Sequence, residues 1–211
     1  MCLAHNILLL NLNSILLQCE QVTEPKDIAD FIIYCQTSIE EIHTHHELEE
    51  KNLFPALEEY SGEKNIMAEN LAQHHAFEAN LLWVEKYLAK VTPETYDGKQ
   101  LKTLIEAFAT DLVPHLNAEI PTLLNVEKYG AEKLGKIWEE FNSKILPSIK
   151  DKVCILLPID LSELELTVSV ASCAPQHSRR HRQILRSRKA QFPTLPMVCA
   201  IPRSLLFRKT V

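Results

Sequence analysis

The sequence predicts an all-α fold: an antiparallel up-and-down four-helix bundle with an extra helix and a poorly ordered C-terminal tail. Three observations carry this. The 211 residues include only four glycines, too few for a turn-rich chain. Apolar residues recur at helical spacing through the first 150 positions, and no sustained strand alternation occurs before residue 153.

Helices are expected over 3–20, 27–60, 64–90, 98–127 and 130–149. The first, in "MCLAHNILLLNLNSILLQCE", is apolar enough to suggest a signal peptide, but no Lys or Arg precedes Lys26. It reads instead as a buried helix, and no stretch has the ~20 apolar residues of a membrane span. "TEPKD" ends the first link, with Asp27 as the expected N-cap; "YSGEK" supplies Ser61 and Gly62; "VTPETYDG" supplies Pro93 and a cap near Asp97; "KYGAEK" supplies Gly130. Pro55, Pro114 and Pro121 sit inside helical text, so local kinks are expected. Four long helices on short links must run antiparallel to their sequence neighbours.

Charge divides the chain. Residues 1–150 hold twelve Lys, no Arg and twenty-four Asp plus Glu, whereas all seven Arg fall between Arg179 and Arg208. A bundle domain over 1–150 and a basic, disordered tail over 151–211 are therefore expected. "RRHRQILRSRK" has the composition of a nuclear signal or phosphate patch, but a solvated tail or a reading-frame departure is the favoured account, and no nucleic-acid partner is expected. Six scattered cysteines without a CxxC pair fit neither a zinc knuckle nor a disulfide scaffold, which favours a reducing, cytoplasmic setting.

The informative feature is ligand-type residues at core positions, where an unpaired charge is costly. The fourth stripe runs Leu101, Ile105, Phe108, Leu112, His115, Glu119; the second runs Cys35, Ile39, Ile42, His46, Glu50, Leu53, Leu57. The third runs Met67, Leu71, His74, Glu78, Leu81, Glu85, Leu88, and the first runs His5, Leu8 or Leu9, Leu12, Leu16, Cys19. Three helices thus carry HxxxE, whose members lie on one face about 6 Å apart along the axis. Glu50 lies twelve residues before Gly62 and His74 twelve after it, so in an antiparallel hairpin they share a level. A lone core histidine is usually just hydrogen-bonded; four helices each offering one point to a metal. Imidazoles and carboxylates without thiolate favour iron, with manganese possible, over structural zinc. The donors outnumber one octahedron, so two ions are expected.

These residues resemble the hemerythrin-like, HHE cation-binding family, and within it the small fungal members. The resemblance rests on "AHNILLLNLNS", "HELEEKNLFPALEE", "QHHAFE" and "LVPHLNAEIPTLL" and covers about residues 3–128. It implies a bundle around a non-haem di-iron centre that binds dioxygen or responds to oxygen and iron. It also implies His5, His46, Glu50, His74, His115 and Glu119 as ligands, with Glu50 and Glu119 bridging. Oxygen carriers in the family have HxxxH in the third helix, where this chain has His74 and Glu78, and HxxxxD in the fourth, where it has HxxxE. A carboxylate at Glu78 would make the centre more anionic and stabilise the ferric state, which favours sensing, storage or redox work over reversible carriage.

The remaining polar residues near the stripes are expected outside the centre. His43, His45, Glu47 and Glu49 are assigned to the solvated shoulder of their helix, with Glu47 able to reach the rim, and His75, rotated ~100° from His74, is a weaker ligand candidate. The leading function is a binding or sensing protein whose ligand is dioxygen or peroxide. A di-iron oxidase or peroxide-consuming enzyme is the alternative, and no catalytic residue is assigned. A ferritin-like oxidase is disfavoured because ExxH is needed on two helices, and only Glu40 to His43 has that spacing. A metal-free helical interaction module is the third possibility. The sequence gives no protein partner.

Overall fold

Short links reverse the chain at each end of the bundle, and each is fixed by local chemistry. The structure, a computed structural model, describes residues 1–130 and 134–144. The elements are α1 (Cys2–Gln18), α2 (Pro25–Leu48), a π-helical turn (Glu49–Leu53), α3 (Phe54–Ser61), α4 (Ala68–Leu88), α5 (Gly98–Val126) and a 3-10 turn (Glu127–Tyr129). Residues 134–144 are again helical. The expected basic tail and the end of the fifth helix lie outside the described residues.

Gly62 closes α3 at φ 71° and donates its N–H to Glu58, a left-handed cap that costs glycine little. Asp97 caps α5 by accepting from the backbone N–H groups of Lys99 and Gln100, worth about 1 kcal/mol. Gly98 follows because a Cβ there would stand 1.9 Å from the Cys19 carbonyl oxygen; Tyr96 donates its hydroxyl to that same oxygen at 2.7 Å. Two boundaries differ from expectation. Helix α2 starts at Pro25 with Glu24 as N-cap, so Asp27 falls in the first turn, where its charge suits the helix dipole. Helix α4 starts four residues late, after a turn containing Asn65 at φ 62°.

Each long helix packs on two others: α1 on α2 and α5, and α4 on α2 and α5. The four therefore form a closed ring, the expected bundle. Its larger apolar cluster joins Leu9, Leu12, Phe31, Ile39, Ile42, Phe77, Leu81, Ile105, Phe108 and Leu112. A second cluster, at the other end, joins Leu53, Phe54, Leu57, Met67, Leu123, Val126 and Phe141. Phe141 comes from the fifth helix, which closes that end. Between the clusters every long helix passes through a polar layer: His5 on α1, His45 and His46 on α2, His74 on α4, His115 and Glu119 on α5, all buried.

Pro114 and Pro121 lie within an uninterrupted α5. Pro55 behaves differently. It cannot donate to the carbonyl four residues back, and the π turn sits immediately before it, with the Phe54 N–H reaching Glu49 across five residues.

Candidate metal centre

Two residues separate the observed centre from the expected one. On α2 the inward positions are Cys35, Ile42 and Glu49, seven apart and all buried. Beyond Glu49 the stripe resumes at Leu53 and Leu57, eight rather than seven residues on. The π turn absorbs the extra residue. Counting back seven from Leu57, or three from Leu53, lands on Glu50, whereas the helix that carries the histidines points Glu49 inward. The expectation that Glu50 faces the core is thus corrected: its side chain is 35 % exposed, against 0 % for Glu49. His45 and Glu49, assigned to solvated flanks, are likewise corrected to buried positions.

On α4 the inward stripe is Met67, Asn70, His74, Phe77, Leu81, Val84 and Leu88, alternating steps of three and four. Glu78 is exposed and Phe77 takes the inward place, so Glu78 is not brought to the centre. Its spacing from His74 was one step of four where the bundle uses three. His75 is exposed too. His43 pairs at the surface with Glu85, Nδ1 to Oε1 2.9 Å, and Glu47 pairs with Lys51.

Seven side chains converge in the polar layer. The Nε2 atoms of His74 and His115 are 3.1 Å apart; His45 Nε2 is 3.0 Å from Glu49 Oε1, and His74 Nε2 is 3.7 Å from Glu49 Oε2. His5 Nε2 is 3.1 Å from Glu119 Oε2. The outer ring nitrogens are anchored. His5 Nδ1 donates to the Leu116 carbonyl at 3.1 Å, His46 Nδ1 to the Ile42 carbonyl at 2.8 Å, His115 Nδ1 to Gln73 Oε1 at 3.1 Å and His74 Nδ1 to Glu50 Oε1 at 2.7 Å. Each outer bond fixes the tautomer that leaves Nε2 as an inward lone pair, the arrangement by which proteins orient metal-binding imidazoles.

This layer is electrostatically unfinished with protein atoms alone. His5 Nε2, His45 Nε2, His46 Nε2 and both carboxylate oxygens of Glu49 and Glu119 are buried without a hydrogen-bond partner among the described residues. The close nitrogen–oxygen approaches are therefore of bonding length but not of bonding geometry. Protons do not fill the gaps: burial pulls His45 and His74 down to about 4, His115 to about 3 and His46 well below the ordinary value. Burial, reinforced by Glu119, pushes Glu49 well above its ordinary value. Glu119 is pushed up by burial but falls on balance, drawn down by His5, His45 and His115. Facing lone pairs at this depth call for a cation. The donor set fits one. Ligands at right angles on ~2.1 Å bonds stand about 3.0 Å apart, close to the His74–His115 separation.

The ligand atoms fall into two groups, each within 4.8 Å: His46, Glu49, His74 and His115, and His5, His45 and Glu49. Glu49 belongs to both. Phe77 lies against His46, His74 and His115 with ring centroids 4.8, 5.7 and 5.5 Å away, and Phe54 covers His74 from the second cluster at 5.4 Å. These rings wall the layer from water.

Sequence comparison agrees with this chemistry. The sequence profile of the hemerythrin HHE cation binding domain matches residues 4–124. A protein named dimeric xanthone biosynthesis cluster protein R11, from Cryptosporiopsis sp. (strain 8999), is 41% identical over 145 residues, covering 69% of this chain and 55% of that protein. The chain thus spans about half the length of this relative. No solved structure matches the chain.

Proposed function

Since the chain belongs to the hemerythrin HHE cation-binding family, we propose that it holds two iron ions in the polar layer and binds dioxygen or peroxide there as an oxygen or iron sensor or store. The observation that carries this reading is the pair of ligand groups sharing Glu49. His46, His74 and His115 would hold one ion and His5 and His45 the other, with Glu49 common to both groups and Glu119 beside His5. Bound iron supplies redox chemistry toward dioxygen and peroxide.

The chain's own residues do the rest. The Nδ1 bonds hold four imidazoles with Nε2 inward before any ion arrives, so little ordering entropy is lost on binding. Burial raises the Glu49 carboxyl above its ordinary value, and cations held in the layer would favour its ionised form. Phe54 and Phe77 exclude water, which strengthens every charge interaction inside. Glu78 is absent from the layer and His45 takes its place in the donor count, so the reading does not rest on a carboxylate at position 78. Manganese would suit the same donors.

A cytoplasmic setting belongs to the same reading: Cys19 and Cys35 are buried and form no disulfide among the described residues, and no helix among those residues is long and apolar enough to cross a membrane. A di-iron redox enzyme is the second reading, favoured by one observation: the relative's name places it in a biosynthesis cluster.

Anaerobic loading with ferrous iron, followed by air and then peroxide, tests both. About two irons per chain and a new charge-transfer absorption in air support the first reading. Sustained peroxide turnover favours the second, and failure to take up iron rejects both.

A further inference from the structure

The four anchored imidazoles are not anchored alike. His5 and His46 donate to main-chain carbonyls, and His115 to the neutral amide of Gln73; His74 alone donates to a carboxylate, Glu50 Oε1, at 2.7 Å. That bond is the shortest of the four, and it crosses from the π turn to α4. The geometry points to Glu50 as a positioning residue that tunes the centre through His74, and we propose that it lowers the reduction potential of the ion held by His46, His74 and His115. The inference rests on the iron-binding reading above.

First, a carboxylate accepting from Nδ1–H pulls that proton outward and leaves Nε2 more basic, so His74 donates more electron density to a bound cation. Charge-assisted bonds of this kind are shorter and stronger than neutral ones. Second, the extra negative charge favours the more positive, oxidised metal, and it acts from a fixed place because the ring is clamped between Phe54 and Phe77, centroids 5.4 and 5.7 Å away. Third, the contact depends on the local helix geometry. Glu49 is turned to the centre and Glu50 follows it at the start of the π turn, where it meets α4. Adjacent carboxylates therefore take separate tasks: the buried one reaches both ligand groups, and the half-exposed one holds a ligand's outer nitrogen. The facing pair isolates the effect. His74 and His115 present Nε2 atoms 3.1 Å apart but have a carboxylate behind one ring and an amide behind the other. Exchanging those two outer groups alters charge without touching an inward donor.

Three variants test this, each loaded with ferrous iron and compared with the wild type for iron content, iron affinity, optical spectrum and midpoint potential. Glu50→Gln keeps an acceptor oxygen but removes the charge; it should hold the wild-type amount of iron with a higher midpoint potential and a shifted charge-transfer band. Glu50→Ala removes the anchor as well, and its affinity should fall by about 10–100-fold. Gln73→Glu places a second carboxylate behind His115 and should lower the potential. An unchanged potential in both Glu50→Gln and Gln73→Glu, with wild-type iron content, overturns the inference while leaving the iron-binding reading intact. Loss of about half the iron in Glu50→Gln also overturns it, because that would make Glu50 a direct ligand. If the wild type itself takes up no iron, the reading beneath it fails.

Discussion

Glu49 shows how much a single position decides. The stretch "HHELEE" contains two overlapping HxxxE pairs, His45 with Glu49 and His46 with Glu50. Their chemistry is identical, so only helix phase chooses between them. Phase is legible forward from Ile42, which is seven residues before Glu49, but not backward from Leu57, because the π turn intervenes. His5, His46, His74, His115 and Glu119 were legible because each continues an apolar stripe at a step the helix keeps. Glu49 also yields a prediction of opposite signs. Its buried carboxyl has no hydrogen-bond partner among the described residues, so Glu49→Ala should stabilise the metal-free protein by about 1–3 kcal/mol. The same change should reduce bound iron to one ion or none. Chemical denaturation of chelated and iron-loaded samples checks both halves; equal destabilisation of the two forms would count against a role in holding cations.

At the scale of elements, four long helices, their links and the Asp97 cap followed from periodicity and turn residues. Periodicity overran its resolution in α4. The expected stripe took its steps as four then three and put Leu71, Glu78 and Glu85 inside, whereas the helix takes them as three then four and buries Asn70, Phe77 and Val84. A mean step of 3.5 keeps one seam facing its neighbours, as in coiled coils. The π turn was not legible, since its cause is a mismatch between two stretches of core and a proline that forbids the ordinary hydrogen bond. The junction of α1 with α5 gives the element-scale prediction. Gly98→Ala would drive a methyl into the Cys19 carbonyl, and repacking around it should cost about 1–3 kcal/mol. Iron content should be unchanged, because His115 lies about five helical turns along α5 from Gly98. A variant as stable as the wild type in a thermal melt would contradict the close approach described for this link.

For the whole molecule, the polar layer places titratable histidines between two apolar clusters, so the metal-free bundle should respond to acid. Burial holds His45 and His74 at about 4 and His115 at about 3, against an ordinary 6.5. Between those values the unfolded chain binds protons that the folded one refuses, so stability is full above about pH 6.5 and is lost as pH falls toward 4. Glu49 acts in the opposite sense, since its raised carboxyl favours folding where it is protonated, but it is one group against several histidines. The melting temperature of chelated protein should therefore drop between pH 6.5 and 4. Iron-loaded protein should drop more steeply, because protonated ligands release their cations. A flat profile for the chelated form would mean that the histidines are not desolvated as described.

Two ions sharing Glu49 in one layer is the proposed arrangement with the sharpest magnetic signature. Mössbauer spectroscopy of the oxidised, iron-loaded wild type, with iron per chain measured on the same sample, tests it most directly. About two irons per chain are expected, in a magnetically coupled ferric pair with no net spin at low temperature. A single uncoupled high-spin ion, or iron absent after reconstitution, would contradict it.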